Sequence, residues 1–106
     1  VMENLIKNAV DAMDGHGSIT ITVSETAAGK RHKPYVRIDV ADTGKGLSRR
    51  DFNTIFRPGY TTKSRGWGLG LTLARRIVEQ YHCGKIFVSS STPGVGTVFT
   101  ILLPTL

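Results

Sequence analysis

Three polar side chains, Asn4, Asn8 and Asp11, fall at i, i+4 and i+7 in a stretch whose apolar residues keep a helical spacing. Such a row of oxygen donors suits a hard cation such as Mg²⁺, which takes few protein ligands and keeps its waters. The plainer reading is a polar helix face, but asparagine is a poor mid-helix residue and two at this spacing lack a stability reason. A second group is Asp42-Thr43-Gly44-Lys45-Gly46-Leu47. A carboxylate there could accept from an amine of a ligand lying against the glycine backbone, or simply cap its own turn. The third is Gly66-Trp67-Gly68-Leu69-Gly70-Leu71, which runs into an apolar pattern of helical period. A glycine turn opening a helix presents backbone N–H groups to an anion, phosphate above all, whereas a flexible loop ahead of a core helix is the alternative.

The net charge of +6 is distributed in favour of a phosphorylated ligand. Lys45, Arg49, Arg50, Arg57, Lys63, Arg65, Arg75 and Arg76 lie in the interval that holds the second glycine stretch. A phosphate-bearing small molecule is favoured over a polymer, so a nucleic acid partner is not expected. One cysteine, Cys83, excludes an internal disulfide and reads as a buried or half-buried structural residue. No apolar run approaches the roughly 18 residues that span a bilayer, and a cytoplasmic location fits.

The elements that must position these groups follow from periodicity. Residues 1–13 read as a helix, with Val1, Leu5, Ala9 and Met2, Ile6, Val10, Met13 on a broad apolar face. The absence of an N-cap ahead of it suggests a piece of a longer protein, with part of the domain upstream. Residues 18–24 and 35–41 alternate as strands joined by a polar hairpin loop, hence antiparallel. Ser48 and Asp51 resemble the start of a short helix ending near Phe56. Residues 57–65 read as a basic lid loop. A main helix is expected over residues 68–82 with Gly84 as its C-terminal cap, then strands at 85–90 and 97–103. This order argues for a single α/β domain over residues 1–106: a two-layer sandwich whose mixed, mostly antiparallel four-stranded sheet carries about three helices on one face.

Together these segments resemble the ATP-binding domain of sensor histidine kinases, a branch of the superfamily shared with gyrase and the large heat-shock chaperones. The resemblance covers the whole chain and rests on five boxes in the family's order. They are residues 3–12 (ENLIKNAVDA), 42–47 (DTGKGL), 55–63 (IFRPGYTTK), 66–71 (GWGLGL) and 94–99 (GVGTVF). Competing signatures fail, since there is no P-loop and the G-x-G-x-G spacing lacks the Rossmann form.

The resemblance implies specific roles. Asn8 would coordinate Mg²⁺ on the ATP phosphates, with Asn4 nearby. Asp42 would accept from the adenine amino group, supported by Thr97 through water, with Gly44 and Gly46 lying against the nucleotide. Ala12, Leu47, Leu71 and Ile101 would wall the adenine pocket. The backbone of Gly66, Gly68, Leu69, Gly70 and Leu71 would hold the phosphates, and Arg57 and Lys63 would add charge.

In the hydrolytic relatives a glutamate one turn before the metal asparagine activates water. Asn4 stands there and cannot take a proton, as in the kinases. Glu3 points about 100° away round the helix and is a candidate to deprotonate an acceptor histidine. Asp11 matches an aspartate common in the hydrolytic branch, and Trp67 replaces a small Thr or Ser. His16, His32 and His82 are not in the context of a phosphoacceptor. The implied function is phosphoryl transfer from Mg·ATP to a histidine on a separate dimerisation domain of helices. A response regulator receiver domain is the downstream partner, with a homodimeric parent, membrane-anchored or not, and a monomeric, inactive isolated fragment. The alternatives are a hydrolytic ATPase of the same superfamily and an inactive nucleotide-binding module.

Overall fold

The computed structural model describes residues 2–13, 16–27, 34–56 and 70–104. In chain order these form α1 (Met2–Ala12), β1 (Ile19–Ala27), β2 (Pro34–Asp42), two 3₁₀ turns (Arg49–Asp51 and Thr54–Phe56), α2 (Gly70–Arg76), a π-helical turn (Ile77–Tyr81), β3 (Lys85–Thr92) and β4 (Gly96–Pro104). The strands pair in the order β1-β2-β4-β3. Every ladder is antiparallel, so the expected mixed sheet is antiparallel throughout these strands. The helices lie on one face, which makes the two-layer α/β sandwich.

Alternation decides which side chains meet the helices. Ile38 and Val40 of β2 stand opposite Ile101 and Phe99 of β4, which stand opposite Ile86 and Val88 of β3. With Leu5 from α1, Ile55 and Phe56, and Ala74 and Val78 from the second helical segment, they form the core. The Phe56 and Phe99 rings meet edge to face, with centroids 6.2 Å apart. Between Val88 and Ser90 the register of β3 shifts by a bulge. The bulge reverses parity: even-numbered Ile86 and Val88 face the helices before it, and odd-numbered Ser91 faces them after it.

Several expectations are corrected. The apolar face of α1 narrows to buried Leu5 and Ala9 plus partly covered Met2, while Ile6 and Val10 are exposed. Ile21 and Val23 are exposed as well: β1 is an edge strand, and of these alternating residues it is Ile19 that packs against the core. The short helix after Ser48 is two 3₁₀ turns. There the Ser48 hydroxyl donates to the Asp51 carboxylate at 2.8 Å instead of capping backbone N–H. The main helix widens into its π turn, which Gly84 N–H closes by donating to the Val78 carbonyl at 2.9 Å. Cys83, not Gly84, takes the left-handed conformation at φ 56°, and Cys83 is exposed rather than buried.

Candidate functional site

The first glycine stretch is held between the end of α1 and the β3–β4 turn. Lys45 N–H donates to the Ala12 carbonyl at 3.0 Å, and the Lys45 carbonyl accepts from Gly94 N–H at 2.7 Å. Thr43 Oγ1 accepts from Ser18 N–H at 3.0 Å, and Leu47 N–H donates to Ser91 Oγ at 2.7 Å. Two glycines have specific reasons. A Cβ on Gly44 would sit 2.7 Å from the Ala12 carbonyl oxygen, and Gly46 combines φ +73° with a Cβ position 2.2 Å from the Thr92 carbonyl oxygen. Residue 44 therefore lets α1 approach, and residue 46 lets the β3–β4 turn approach.

This clamp fixes Asp42 at the C-terminal end of β2, on the helix-facing side two residues beyond Val40. It is 8% exposed and is the buried carboxylate among the described residues. Its Oδ1 accepts Gly44 N–H at 2.9 Å. Thr97, 5% exposed, stands directly opposite on β4, where facing side chains are close neighbours. Ser91 of β3 stands opposite Thr97 in turn. Its hydroxyl lies 2.7 Å from Thr97 Oγ1 and donates to the Gly96 carbonyl at 3.0 Å. The result is a polar row across the end of the sheet.

The remaining predicted residues sort by position. Ala12 borders the clamp through its carbonyl, and Leu47 and Leu71 are half-buried at the edge of the core. Asn4 and Asn8 are half-buried on α1, beside the Leu5 and Ala9 stripe, while Glu3 and Asp11 are exposed. Asn8 is thus one turn back from the Ala12 carbonyl that binds the glycine loop. Its amide oxygen fits a hard cation that keeps most of its waters. Among the described residues no three His, Cys, Asp or Glu cluster as a metal centre. Ile101 is not brought to this end: it lies four residues along β4 from Thr97, in the core, beside an apolar hollow lined by Met2, Ile77, His82 and Leu103. Gly70 opens α2, whereas Arg57, Lys63, Gly66, Trp67, Gly68 and Leu69 fall outside the described residues.

Arg75 leaves the group of cations counted toward phosphate. Its guanidinium lies 5.0 Å from the centroid of the Phe56 ring and its Nε donates to Glu79 at 3.3 Å. Thr72 Oγ1 donates to the Phe56 carbonyl at 2.7 Å, tying the start of α2 to the 3₁₀ turn. Sequence reasoning missed Ser91 and Thr72. The run Ser89-Ser90-Ser91 in a strand was a signal, but only the bulge tells which serine faces Thr97.

Comparison with known proteins fits this arrangement. The family described as "Histidine kinase-, DNA gyrase B-, and HSP90-like ATPase" matches residues 1–106. The chain belongs to that family. Among its relatives, sensor histidine kinase ZraS of Escherichia coli (strain K12) is 45% identical over 104 residues, which are 98% of this chain and 21% of that protein. Sporulation kinase C of Bacillus subtilis (strain 168) is 36% identical over 98% of this chain and 22% of its own length. The chain therefore spans about a fifth of these curated relatives. The solved catalytic domain of histidine kinase ThkA shares the fold at TM-score 0.75 and 34% identity, with 95% of this chain and 61% of that one covered. Full-length ShkA in complex with AMPPNP gives TM-score 0.79 at 29% identity, over 97% of this chain and 20% of that one. This ATPase-family domain has the fold of histidine kinase catalytic domains.

Proposed function

We propose that the domain binds Mg·ATP and, within its parent protein, delivers the γ-phosphate to a histidine on a separate helical dimerisation domain. The observation that carries this reading is the buried Asp42 carboxylate, clamped at the sheet end opposite Thr97. Asp42 accepts from the adenine amino group, with Thr97 supporting it through water, and Ala12, Leu47 and Leu71 flank the base. Asn8 holds Mg²⁺, with Asn4 beside the phosphate chain, and the backbone of residues 66–71 together with Arg57 and Lys63 binds the triphosphate. When bound, the metal supplies charge neutralisation of the phosphates. Donors and cations arranged beforehand around the transferred group are the means of stabilising it.

Kinase chemistry is favoured over hydrolysis by the side chains of α1. Half-buried Asn4 has no proton-accepting group for water, and Glu3 next to it is exposed. Glu3 is retained as the candidate that deprotonates the acceptor histidine. The partners of the parent follow: a second copy, and a response regulator receiver domain of the kind that ThkA binds in its complex with response regulator TrrA. The domain acts in the cytoplasm, and nucleic acid is not a partner.

Isothermal titration with Mg·AMPPNP tests the reading. Saturable binding that Asp42→Asn weakens about 100-fold is expected. An absence of binding by the unaltered protein, or equal affinity in the variant, would overturn it.

A further inference from the structure

We infer that Ser91 sets adenine selectivity by fixing the direction in which the Thr97 hydroxyl proton points. The inference rests on the assignment of Asp42 and Thr97 to the adenine end of the site. It starts from a count of donors. A serine hydroxyl has one proton and two lone pairs. Leu47 N–H, at 2.7 Å, occupies one lone pair of Ser91 Oγ. The Gly96 carbonyl at 3.0 Å can only accept, so that contact is a hydrogen bond only when Ser91 gives it its proton. The 2.7 Å contact between Ser91 Oγ and Thr97 Oγ1 is then made by the Thr97 proton filling the second Ser91 lone pair. This arrangement makes all three bonds. The reverse direction, with Ser91 donating to Thr97, leaves the Gly96 carbonyl without this donor and is disfavoured.

The consequence lies on the other side of Thr97. With its proton committed to Ser91, Thr97 Oγ1 offers lone pairs toward Asp42, the residue directly opposite it. A carboxylate and an oriented hydroxyl then present acceptors together. Adenine brings an amino group to that edge, whereas guanine brings a carbonyl oxygen and meets acceptors with an acceptor. Specificity of this kind comes from the unpaired group imposed on the wrong ligand. Ser91 touches neither base in this scheme and is a positioning residue.

The measurement is the ratio of Mg·GMPPNP to Mg·AMPPNP dissociation constants, by isothermal titration of the unaltered protein and of Ser91→Ala. Removing the hydroxyl lets Thr97 turn its proton toward Asp42 and the base. The ratio should fall about fivefold while AMPPNP affinity changes less than guanine-nucleotide affinity. Ser91→Thr, which keeps the hydroxyl, should restore the ratio. In a Thr97→Val background Ser91→Ala should leave the ratio unmoved. Ser91→Ala also strips an acceptor from Leu47 N–H, so Ser91→Cys, with its weak acceptor and donor, gives a second reading if the alanine variant does not fold. An unchanged ratio, or equal loss of affinity for both nucleotides, overturns the inference. Failure of the unaltered protein to bind Mg·AMPPNP removes the underlying site assignment instead.

Discussion

Asp39 stands opposite Thr100 and Asp42 stands opposite Thr97, so β2 and β4 carry the same residue pair twice, on opposite faces of the sheet. On the face away from the helices the pair is closed. Thr100 Oγ1 donates to Asp39 Oδ1 at 2.6 Å, and Arg37 Nε lies 3.1 Å from both carboxylate oxygens. On the helix face the threonine hydroxyl meets Ser91, and Asp42 takes a backbone N–H from its own glycine turn. The residue types are the same, but the pairs lie three positions apart, so they belong to alternate classes of the antiparallel ladder as well as to opposite faces. The company differs too: a guanidinium and an inward hydroxyl close one carboxylate, and a serine brought round by a bulge meets the threonine hydroxyl opposite the other.

Neutralising each aspartate in turn separates them most sharply. Asp42→Asn should weaken Mg·AMPPNP binding about 100-fold, near the upper range for hydrogen bonds to a charged group. Asp39→Asn should leave that affinity within about twofold and lower stability by roughly 1 kcal/mol. Titration calorimetry and thermal melts of both variants read the two effects. If Asp39→Asn weakens nucleotide binding as much as Asp42→Asn does, the contrast between the faces is wrong.

A second break concerns the backbone that only the Asp42 pair has against it. Gly96, whose carbonyl accepts from Ser91, sits at φ +152° with its Cβ position 2.0 Å from the Asp42 carbonyl oxygen. Gly96→Ala must push β4 off β2 at this end. Destabilisation by about 2 kcal/mol is expected. That is a fall in melting temperature of roughly 8–16 °C for a domain of this size. A melting temperature within 2 °C of the unaltered protein would show that this end of the sheet is not tightly held.

The helix-face pair was legible in the sequence and its partners were not. Strict alternation gave the strands, and Asp42 followed by Gly44 and Gly46 stood out as a carboxylate on a tight turn. Edge position is not written in alternation: Ile21 and Val23 repeat the pattern of Ile38 and Val40, yet β1 has no helix over these two residues. Bulges are equally hidden, since one extra residue in β3 selects Ser91 over Ser90 through pairing with a strand that follows it. The π turn after Arg76 and the left-handed Cys83 depend on how the second helical segment docks on the sheet, which local propensity does not encode. Residues 57–65, expected as a lid, and the glycines at 66 and 68 lie outside the described residues.

Replacing the two threonines by valine should exchange the phenotypes in a smaller way. Thr100 is fully buried, so Thr100→Val removes an inward donor from Asp39, and a loss of about 1 kcal/mol with unchanged nucleotide affinity is expected. Thr97→Val leaves Asp39 untouched and should weaken AMPPNP several-fold. Equal affinities for the two variants would mean that the sheet end transmits any change, whichever face it strikes.

The smallest effect is a pH dependence confined to the closed pair. Burial pushes the Asp39 carboxyl up, but the hydrogen bonds from Thr100 and Arg37 and the Arg37 charge outweigh it, and its pKa lies below the ordinary 3.8. A carboxyl depressed in the folded state adds stability that is fully present above its unfolded pKa, about 3.9. That stability is lost as pH falls through the lower folded value. Arg37 and Asp39 keep 39% and 22% of their side-chain exposure, so solvent screening limits the contribution to under about 1 kcal/mol. Thr100→Val removes one of the lowering interactions and moves the folded pKa back up, leaving less stability to lose. The difference in melting temperature between the unaltered protein and Thr100→Val should therefore narrow from pH 6 to pH 3. A difference that stays constant or widens would mean that Thr100 holds β4 by packing alone, and that the outer pair is closed by Arg37 without it.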